Sequence, residues 1–240
     1  MKIFDIHCHI LPEIDDGSSS IQETLEMIRM AEEQGIKDFI ATPHFSVQFP
    51  NDNPQMIYQL CQDIQENARK TIGKEITVYS GQEIFYGEGI IDKLSRGELL
   101  TMAGSDYVLL EFYPQIPYST VYRVVREMIM NQYFPILAHV ERYAELRDKG
   151  RIEELIEAGA YIQMSYHSLC GKWYEQTPRW CKKMLKEGNV HFMATDMHSP
   201  RRRRPMASEA LEWMEKHLDE RYLSRILYEN AEQILKNEKI

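Results

Sequence analysis

His7 and His9 stand two residues apart in Asp5-Ile6-His7-Cys8-His9, and Asp196-Met197-His198 repeats that spacing with mixed ligands. In an extended strand, residues two apart point to the same face. Each pair therefore offers two ligands to one ion, while Cys8 points the other way. Between them come His44 in Ala41-Thr42-Pro43-His44, Glu83 in Ser80-Gly81-Gln82-Glu83, then Glu111 and His139. Imidazoles with carboxylates suit Zn, Mn or Fe, whereas carboxylates alone would suit Mg or Ca better. Taken singly, a histidine at a strand end is more often a hydrogen-bonded structural residue, and a lone glutamate more often a cap or ion-pair partner. As a set they are harder to dismiss, because buried histidines and carboxylates are costly unless they pair or bind metal.

Two further features bear on the same chemistry. Asp15-Asp16-Gly17 follows the first pair. It reads either as a turn with Asp before Gly or as a source of one more carboxylate ligand. Arg142 lies just beyond His139, and Arg201-Arg202-Arg203-Arg204 follows His198. Four arginines usually form a solvated face, but guanidinium forks match phosphate oxygens in bidentate fashion, and at least one of the four is placed to reach the site.

The elements that must position these residues alternate along the chain. Short apolar runs predict strands at about 3–9, 37–43, 76–82, 107–112, 134–140, 160–166 and 190–196, and helical patterns fall at about 21–34, 55–71, 119–132, 151–158, 178–187, 205–217 and 219–237. Ser20-Ile21-Gln22-Glu23 fits a capping box for the first helix, with Leu25, Ile28 and Ala31 on one face and Gly35 as its stop. Strands alternating with helices imply a parallel sheet. About seven of them suggest a closed or nearly closed barrel, with an open doubly wound sheet as the runner-up. Nearly every predicted strand ends in one of the metal-competent residues, and barrel sites are built at that C-terminal rim. The segment 45–57, rich in Pro, Asn and Asp, reads as a longer loop over the site.

The bulk properties narrow the class. A chain of 240 residues, 43% apolar and 27% charged, suits one globular domain over 1–240. Net charge −9 and a pI near 5.4 weigh against nucleic-acid binding. No apolar run approaches the ~18 residues of a membrane span, and the N-terminus has no secretory pattern. The scattered Cys8, Cys61, Cys170 and Cys181 read as free thiols in a reducing cytoplasm. None of them has Arg six places on, as a cysteine phosphatase loop needs: those positions hold Ile14, Asn67, Gln176 and Glu187. The phosphate loop, the G-x-S-x-G elbow and the H-E-x-x-H helix are missing too. The metal-competent set is the hydrolytic machinery left standing.

His7-x-His9, Leu11-Pro12-x-Ile14-Asp15-Asp16-Gly17, Ala41-Thr42-Pro43-His44, Gly81-Gln82-Glu83, Glu111-Phe112, Ala138-His139-x-Glu141-Arg142 and Thr195-Asp196-x-His198 occur in this order. Together, over about residues 3–205, they resemble the PHP (polymerase and histidinol phosphatase) family. The resemblance is strongest to its branch of manganese-dependent protein-tyrosine phosphatases from Gram-positive capsule and exopolysaccharide operons. It implies an α/β fold, a distorted seven-stranded (βα) barrel of PHP type, with three divalent ions at the C-terminal rim. Mn is the first choice, with Fe, Zn or Mg as alternatives. Carried over by motif, the ligands are His7, His9, Asp16, His44, Glu83, Glu111, His139, Asp196 and His198, with Asp16 preferred to Asp15 because it touches the glycine. The phosphate-holding arginines map to Arg142 and to one of the run, where position favours Arg203 and adjacency to Pro205 favours Arg204. The family's usual Asn after the last histidine is Ser199 here.

The implied reaction is hydrolysis of a phosphotyrosine protein, with Phe45, Phe49, Phe85, Tyr86 and Tyr113 as candidates to pack on the substrate ring. The implied partner is the tyrosine-rich tail of a membrane-associated bacterial tyrosine kinase. Membrane insertion and nucleic acid are not expected, and homo-oligomerisation through the last helices is left open. Histidinol phosphate, a phosphodiester and a non-catalytic metal-binding role are the competing readings.

Overall fold

The structure, a computed structural model, describes residues 2–172 and 174–240, so Met1 and Trp173 lie outside the described residues. It is an α/β fold built on a curled, parallel half-barrel sheet. β1 (Ile3–Cys8) leads to α1 (Ile21–Glu32), β2 (Ile36–Ala41), the short β3 (His44–Phe45) and α2 (Pro54–Thr71). β4 (Thr77–Ser80), β5 (Glu83–Phe85), α3 (Ile90–Ser95), β6 (Tyr107–Glu111), α4 (Tyr118–Met130) and β7 (Phe134–Leu137) follow. Then come α5 (Arg151–Glu157), β8 (Tyr161–Ser165), α6 (Gln176–Lys186), β9 (Phe192–Ala194), α7 (Ser208–His217), α8 (Glu220–Ser224) and α9 (Asn230–Lys236).

The strands form two hydrogen-bonded groups, β1-β2-β4 and β3-β5-β6-β7-β8-β9. Pairing is parallel in both. Two strands stop two residues before their predicted ends, at Ala41 and Ser80, and after Thr42-Pro43 and Gly81-Gln82 come the short strands β3 and β5, which lie beyond the predicted stretches. Pro43 has no amide to give to a ladder. At Gly81 a Cβ would sit 2.7 Å from the Ile40 side chain, so the chain crosses its neighbour closely there. At the other margin an isolated parallel bridge joins Cys8 to Met197, with Asp196 N donating to His7 O and His9 N to Met197 O, both at 2.9 Å. The first and last strands therefore meet where both ligand pairs lie.

The strands alternate between two apolar clusters, as a sheet covered on both faces must. Leu109, Ile136, Phe192 and Ala194 join Phe4, Ile6 and Ile40 on the concave side, with Ala231 and Ile234 of α9 beneath them. Val108, Leu110, Leu137, Ile162 and Met164 pack on the other side with helix residues such as Met27, Ile57, Val124 and Leu155. Gln163 and Glu111 share the parity of the concave positions, so the same alternation that buries leucines carries polar groups inward toward the rim.

The helix ends follow local rules with one difference. Ser20 caps α1 by accepting from Glu23 N at 3.3 Å, but the Glu23 carboxylate reaches one residue further than a capping box does, to Ser19 N at 2.8 Å and Ser19 Oγ at 2.6 Å. Gly35 ends the turn at φ 89°, in the left-handed region where glycine carries no steric cost. The predicted helix over 219–237 is interrupted by a π-helical turn, Arg225–Glu229, and α3 was not predicted at all.

Candidate metal centre

The candidate ligands cluster at one end of the strands: His7 and His9 at the end of β1, Asp16 in the loop beyond it, His44 and Glu83 at the starts of the short β3 and β5, Glu111 at the end of β6, and His139, Asp196 and His198 just past β7 and β9. Between Asp5 and Cys8 the pairing of β1 with β2 slips, three steps on β1 matching two on β2. Such a bulge re-aims side chains. His7 and His9 thereafter both turn into the site, and their Nε2 atoms face each other at 3.3 Å. His139 and Asp196 both adopt positive φ, 33° and 52°. That conformation is uncommon for non-glycine residues and persists where surrounding contacts enforce it. His44 and Glu83 are paired across β3 and β5, and Glu111 ends β6.

These nine residues converge in four overlapping groups of potential ligand atoms: His9 with Asp16, His44 and His198; His7 with His9 and Asp196; His7 with Glu83 and His139; and His44 with Glu83 and Glu111. Glu83 is the hub. Its Oε2 lies 3.2 Å from His7 Nε2, 3.2 Å from His9 Nε2 and 3.0 Å from His44 Nδ1. Its Oε1 lies 2.7 Å from His139 Nε2.

The donor set fits divalent cations. Glu83 Oε2 and Asp196 Oδ1 are buried and accept no hydrogen bond among the described residues. Imidazole nitrogens fan around Glu83 Oε2 at close range without the alignment a hydrogen bond needs. Moreover, His7 and His9 each use the other ring nitrogen elsewhere: Nδ1 of His7 meets Gln163 Oε1 at 3.1 Å, and Nδ1 of His9 meets Asp15 Oδ2 at 2.8 Å. Engaging Nδ1 in this way leaves Nε2 as the ligand atom. Two facing Nε2 atoms and two unsatisfied buried carboxylate oxygens are what a cation would satisfy.

Asp15 and Asp16, left open by spacing alone, separate by their contacts. Asp15 accepts from His9, from Gly17 N at 2.8 Å and from His44 N at 3.0 Å. Asp16 Oδ1 instead faces His44 Nε2 and His198 Nε2, each at 3.4 Å. Gly17 is required by close approach, since a Cβ there would lie 2.3 Å from His9 O and 2.6 Å from His9 Cβ.

Mutual charge governs protonation. Burial works against ionisation of Glu83, yet His7, His139 and His9 outweigh it and hold its carboxyl well below the usual range. Asp16 is held below that range by His198 and His44. Burial opposes a charged His9, but Asp15 and Glu83 prevail and raise it to about 10. His139 is likewise raised to about 9, by Glu111 and Glu83 against burial. His198 falls to about 4, through burial and the charge of His9.

The arginines close one side. A guanidinium nitrogen of Arg142 donates to Asp196 Oδ2, and Arg203 Nη2 reaches the same oxygen at 2.6 Å. Arg203 Nη1 also donates to His198 Nε2 at 2.7 Å. Arg204, by contrast, is exposed. Three supporting residues escaped the sequence reading. Gln163 Oε1 accepts from His139 N at 2.7 Å as well as from His7. Buried Asp5 accepts from Thr195 N at 3.0 Å and Thr195 Oγ1 at 2.5 Å, and burial pushes its carboxyl up to about 6. Tyr143 OH accepts from Phe112 N at 3.0 Å and lies 3.5 Å from His139 Nδ1. A polar residue alternating with apolar ones, as in Ile162-Gln163-Met164, was the available signal.

The centre opens into a cavity of about 920 Å³ lined by Asp16, His44, Glu111, Arg142 and Arg203 at its floor and by Phe45, Phe49, Phe85, Tyr86 and Tyr113 on its walls. The loop predicted over 45–57 supplies one wall as far as the start of α2. Phe49 stacks on the His44 ring at 5.9 Å, and Phe85 and Tyr113 meet edge to face at 4.5 Å.

Comparison with known proteins places this site in context. The family model described as capsular polysaccharide synthesis, CpsB/CapC, matches residues 3–236. The tyrosine-protein phosphatase YwqE of Bacillus subtilis is 33% identical, over 99% of this chain and 93% of its own length. The tyrosine-protein phosphatase CpsB of Streptococcus agalactiae is 29% identical, over 99% of this chain and 100% of its own. A crystal structure from work on B. subtilis YwqE and Streptococcus pneumoniae CpsB, described as unique metal-dependent tyrosine phosphatases, superposes with a TM-score of 0.90 at 31% identity, covering 99% of this chain and 96% of that one. An organophosphorus hydrolase mutant shares the fold alone, at TM-score 0.65 and 9% identity.

Proposed function

This chain belongs to the CpsB/CapC family of capsular polysaccharide synthesis, and on that premise we propose that it is a metal-dependent protein-tyrosine phosphatase. The observation that carries the reading is the meeting of Arg142 and Arg203 at Asp196, on the edge of the histidine–carboxylate cluster and at the floor of an aromatic-walled cavity. Cation ligands and two guanidinium groups side by side form a receptor for a phosphoryl dianion. The aromatic walls suit an aryl rather than an alkyl ester.

In this reading His7, His9, Asp16, His44, Glu83, Glu111, His139, Asp196 and His198 hold three divalent ions, Mn first, with Fe, Zn or Mg as alternatives. When bound, such ions lower the pKa of water and neutralise phosphoryl charge. The chain's own residues do the rest. Asp15 and Gln163 fix the tautomers of His9 and His7. Arg142 and Arg203 bind the phosphoryl oxygens and stabilise the charge that develops on them. Phe49, Phe85 and Tyr113 hold the tyrosine ring and exclude water. The leaving phenolate has a pKa of about 10, so no strong general acid is needed.

The same reading counts the fold as one domain over 1–240 and as a distorted seven-stranded barrel. β2 with β3, and β4 with β5, are each taken as one broken strand, and the Cys8–Met197 bridge is taken as the closure. Four free cysteines support a cytoplasmic location. The substrate is a phosphotyrosine protein, with the tail of a membrane-associated tyrosine kinase as the candidate that the family resemblance supplies. Turnover of a phosphotyrosine peptide, histidinol phosphate and a bis-aryl phosphodiester, side by side with Mn present, tests the assignment. Preference for the peptide supports it, and preference for either other substrate replaces it.

A further inference from the structure

Only one of the four consecutive arginines is used by the site. The chain from Ser199 to Arg203 forms a tight loop, closed where Arg203 O accepts from His198 N at 2.8 Å and Ser199 N at 3.3 Å. Ser199 Oγ accepts from Arg202 N at 3.1 Å. Arg203 turns inward to Asp196 and His198 from the base of this loop, while Arg201 and Arg202 at its tip, and Arg204 just beyond, are exposed. Among the described residues these three guanidinium groups make no ion pair, although the charge of Arg201 reaches the Glu23 carboxyl in the first turn of α1. Such a concentration of positive charge runs against a chain whose net charge is −9.

We infer that the tip of this loop, Arg201 and Arg202 with Arg204 beside them, is a docking surface for anionic groups that flank the phosphorylated tyrosine of the substrate. The inference rests on the phosphatase reading and deepens it. Arg203 lines the floor of the cavity and the tip lies one and two residues away along the chain. An extended peptide advances about 3.3 Å per residue, so side chains a few positions from the scissile tyrosine come within reach of an arginine at the tip. The other charged residues that line the cavity away from the ligands are of mixed sign, Lys93, Glu88 and Asp52. The field therefore favours acidic sequence on the arginine side, and a charged surface of this kind acts through encounter and weak ion pairing. Carboxylates and a second phosphoryl group share the recognisable chemistry.

The test uses the full chain loaded with Mn and four substrates: p-nitrophenyl phosphate, and phosphotyrosine peptides whose flanks are neutral, glutamate-rich or carry a second phosphotyrosine. The Arg201→Ser/Arg202→Ser protein is compared with the unmodified one, together with the charge reversal Arg201→Glu/Arg202→Glu. The expected result is an unmodified enzyme that prefers both anionic peptides. The serine variant loses about three- to tenfold of that preference, as two exposed ion pairs allow, and the reversal loses more. The loss falls on KM and fades at high ionic strength. Turnover of the neutral peptide and of p-nitrophenyl phosphate is retained. Loss confined to the second-phosphotyrosine peptide assigns the surface to phosphoryl groups, and equal loss on both assigns it to anions in general. An unchanged ratio between anionic and neutral peptides overturns the inference. So does a variant that keeps its peptide preference and loses only binding to vesicles of phosphatidylcholine and phosphatidylglycerol, which would make the surface a lipid contact. An unmodified enzyme inactive on every substrate overturns the phosphatase reading itself, an outcome distinct from either.

Discussion

Arg142, in the 3-10 turn Val140–Arg142, and Arg203, in the loop before α7, donate to the same oxygen, Oδ2 of Asp196. Each is about a third exposed, at 34% and 37%, and both line the cavity. In the proposed reading they receive the phosphoryl group of the substrate, besides bracing Asp196 and, through Arg203, His198. Arg142→Ala and Arg203→Ala should each lower kcat on a phosphotyrosine peptide by roughly 100- to 1,000-fold, as loss of a transition-state donor does, with bound metal unchanged by elemental analysis. Metal lost in step with activity would make them structural.

Asp15 binds no candidate ion position, yet it orients His9 and anchors the amides of Gly17 and His44. Asp15→Asn should weaken metal affinity roughly 10- to 100-fold, as loss of an orienting carboxylate does, while saturating metal restores most of the turnover. Gly17→Ala acts on the same histidine by displacement and should cost metal affinity that excess metal recovers less well. Metal titrations on the three proteins check this, and equal affinities would remove the hydrogen bond from the account.

Without ions, His9 titrates at about 10 and His139 at about 9. Both values lie above the ordinary histidine range near 6.5. Their charged forms therefore stabilise the metal-free fold fully below about pH 6.5, and that contribution is lost as pH rises through 9 to 10. Ligation needs neutral rings, so metal must displace these protons and bind more tightly as pH rises through the same window. Calorimetry at pH 7 in buffers of different ionisation enthalpy should report release of about two protons as metal binds. A binding enthalpy independent of buffer would contradict it.

His191 offers a pH effect away from the centre. Its Nδ1 accepts from Ile162 N at 3.1 Å, and burial, helped by Arg225, lowers it to about 4. The depressed value means stability that is full above about pH 6.5 and lost as pH falls toward 4. His191→Asn keeps an acceptor without the titration. Its thermal midpoint should fall less than that of the unmodified chain between pH 7 and 4.5, and parallel curves would show that His191 does not titrate in this window.

Most candidate ligands were legible because the short apolar runs read as strands stop at a histidine or carboxylate and the two-residue spacing puts a pair on one face, while the full set of nine came with the family resemblance. His7 with His9, and Asp196 with His198, carried that signal most clearly. Gln163 and Asp15 were not legible as orienting groups, since their roles depend on partners brought close only by the curled sheet. The short strands β3 and β5 were not legible, since each spans only two or three residues and starts just past the predicted ends at Thr42-Pro43 and Gly81-Gln82. α3 is too short to show a helical period and starts after Gly89, at φ 78°. Which arginine of the run turns inward depends on loop closure at Arg203 O, a backbone contact that composition does not encode.

The most direct test strips the protein with chelator, refills it stepwise with Mn, and measures bound metal and phosphotyrosine-peptide hydrolysis in the same samples. The account predicts no turnover in the stripped protein and a rate that climbs with occupancy to a plateau when the centre is full. Hydrolysis that survives complete stripping, or a full centre that leaves the peptide intact, would contradict it.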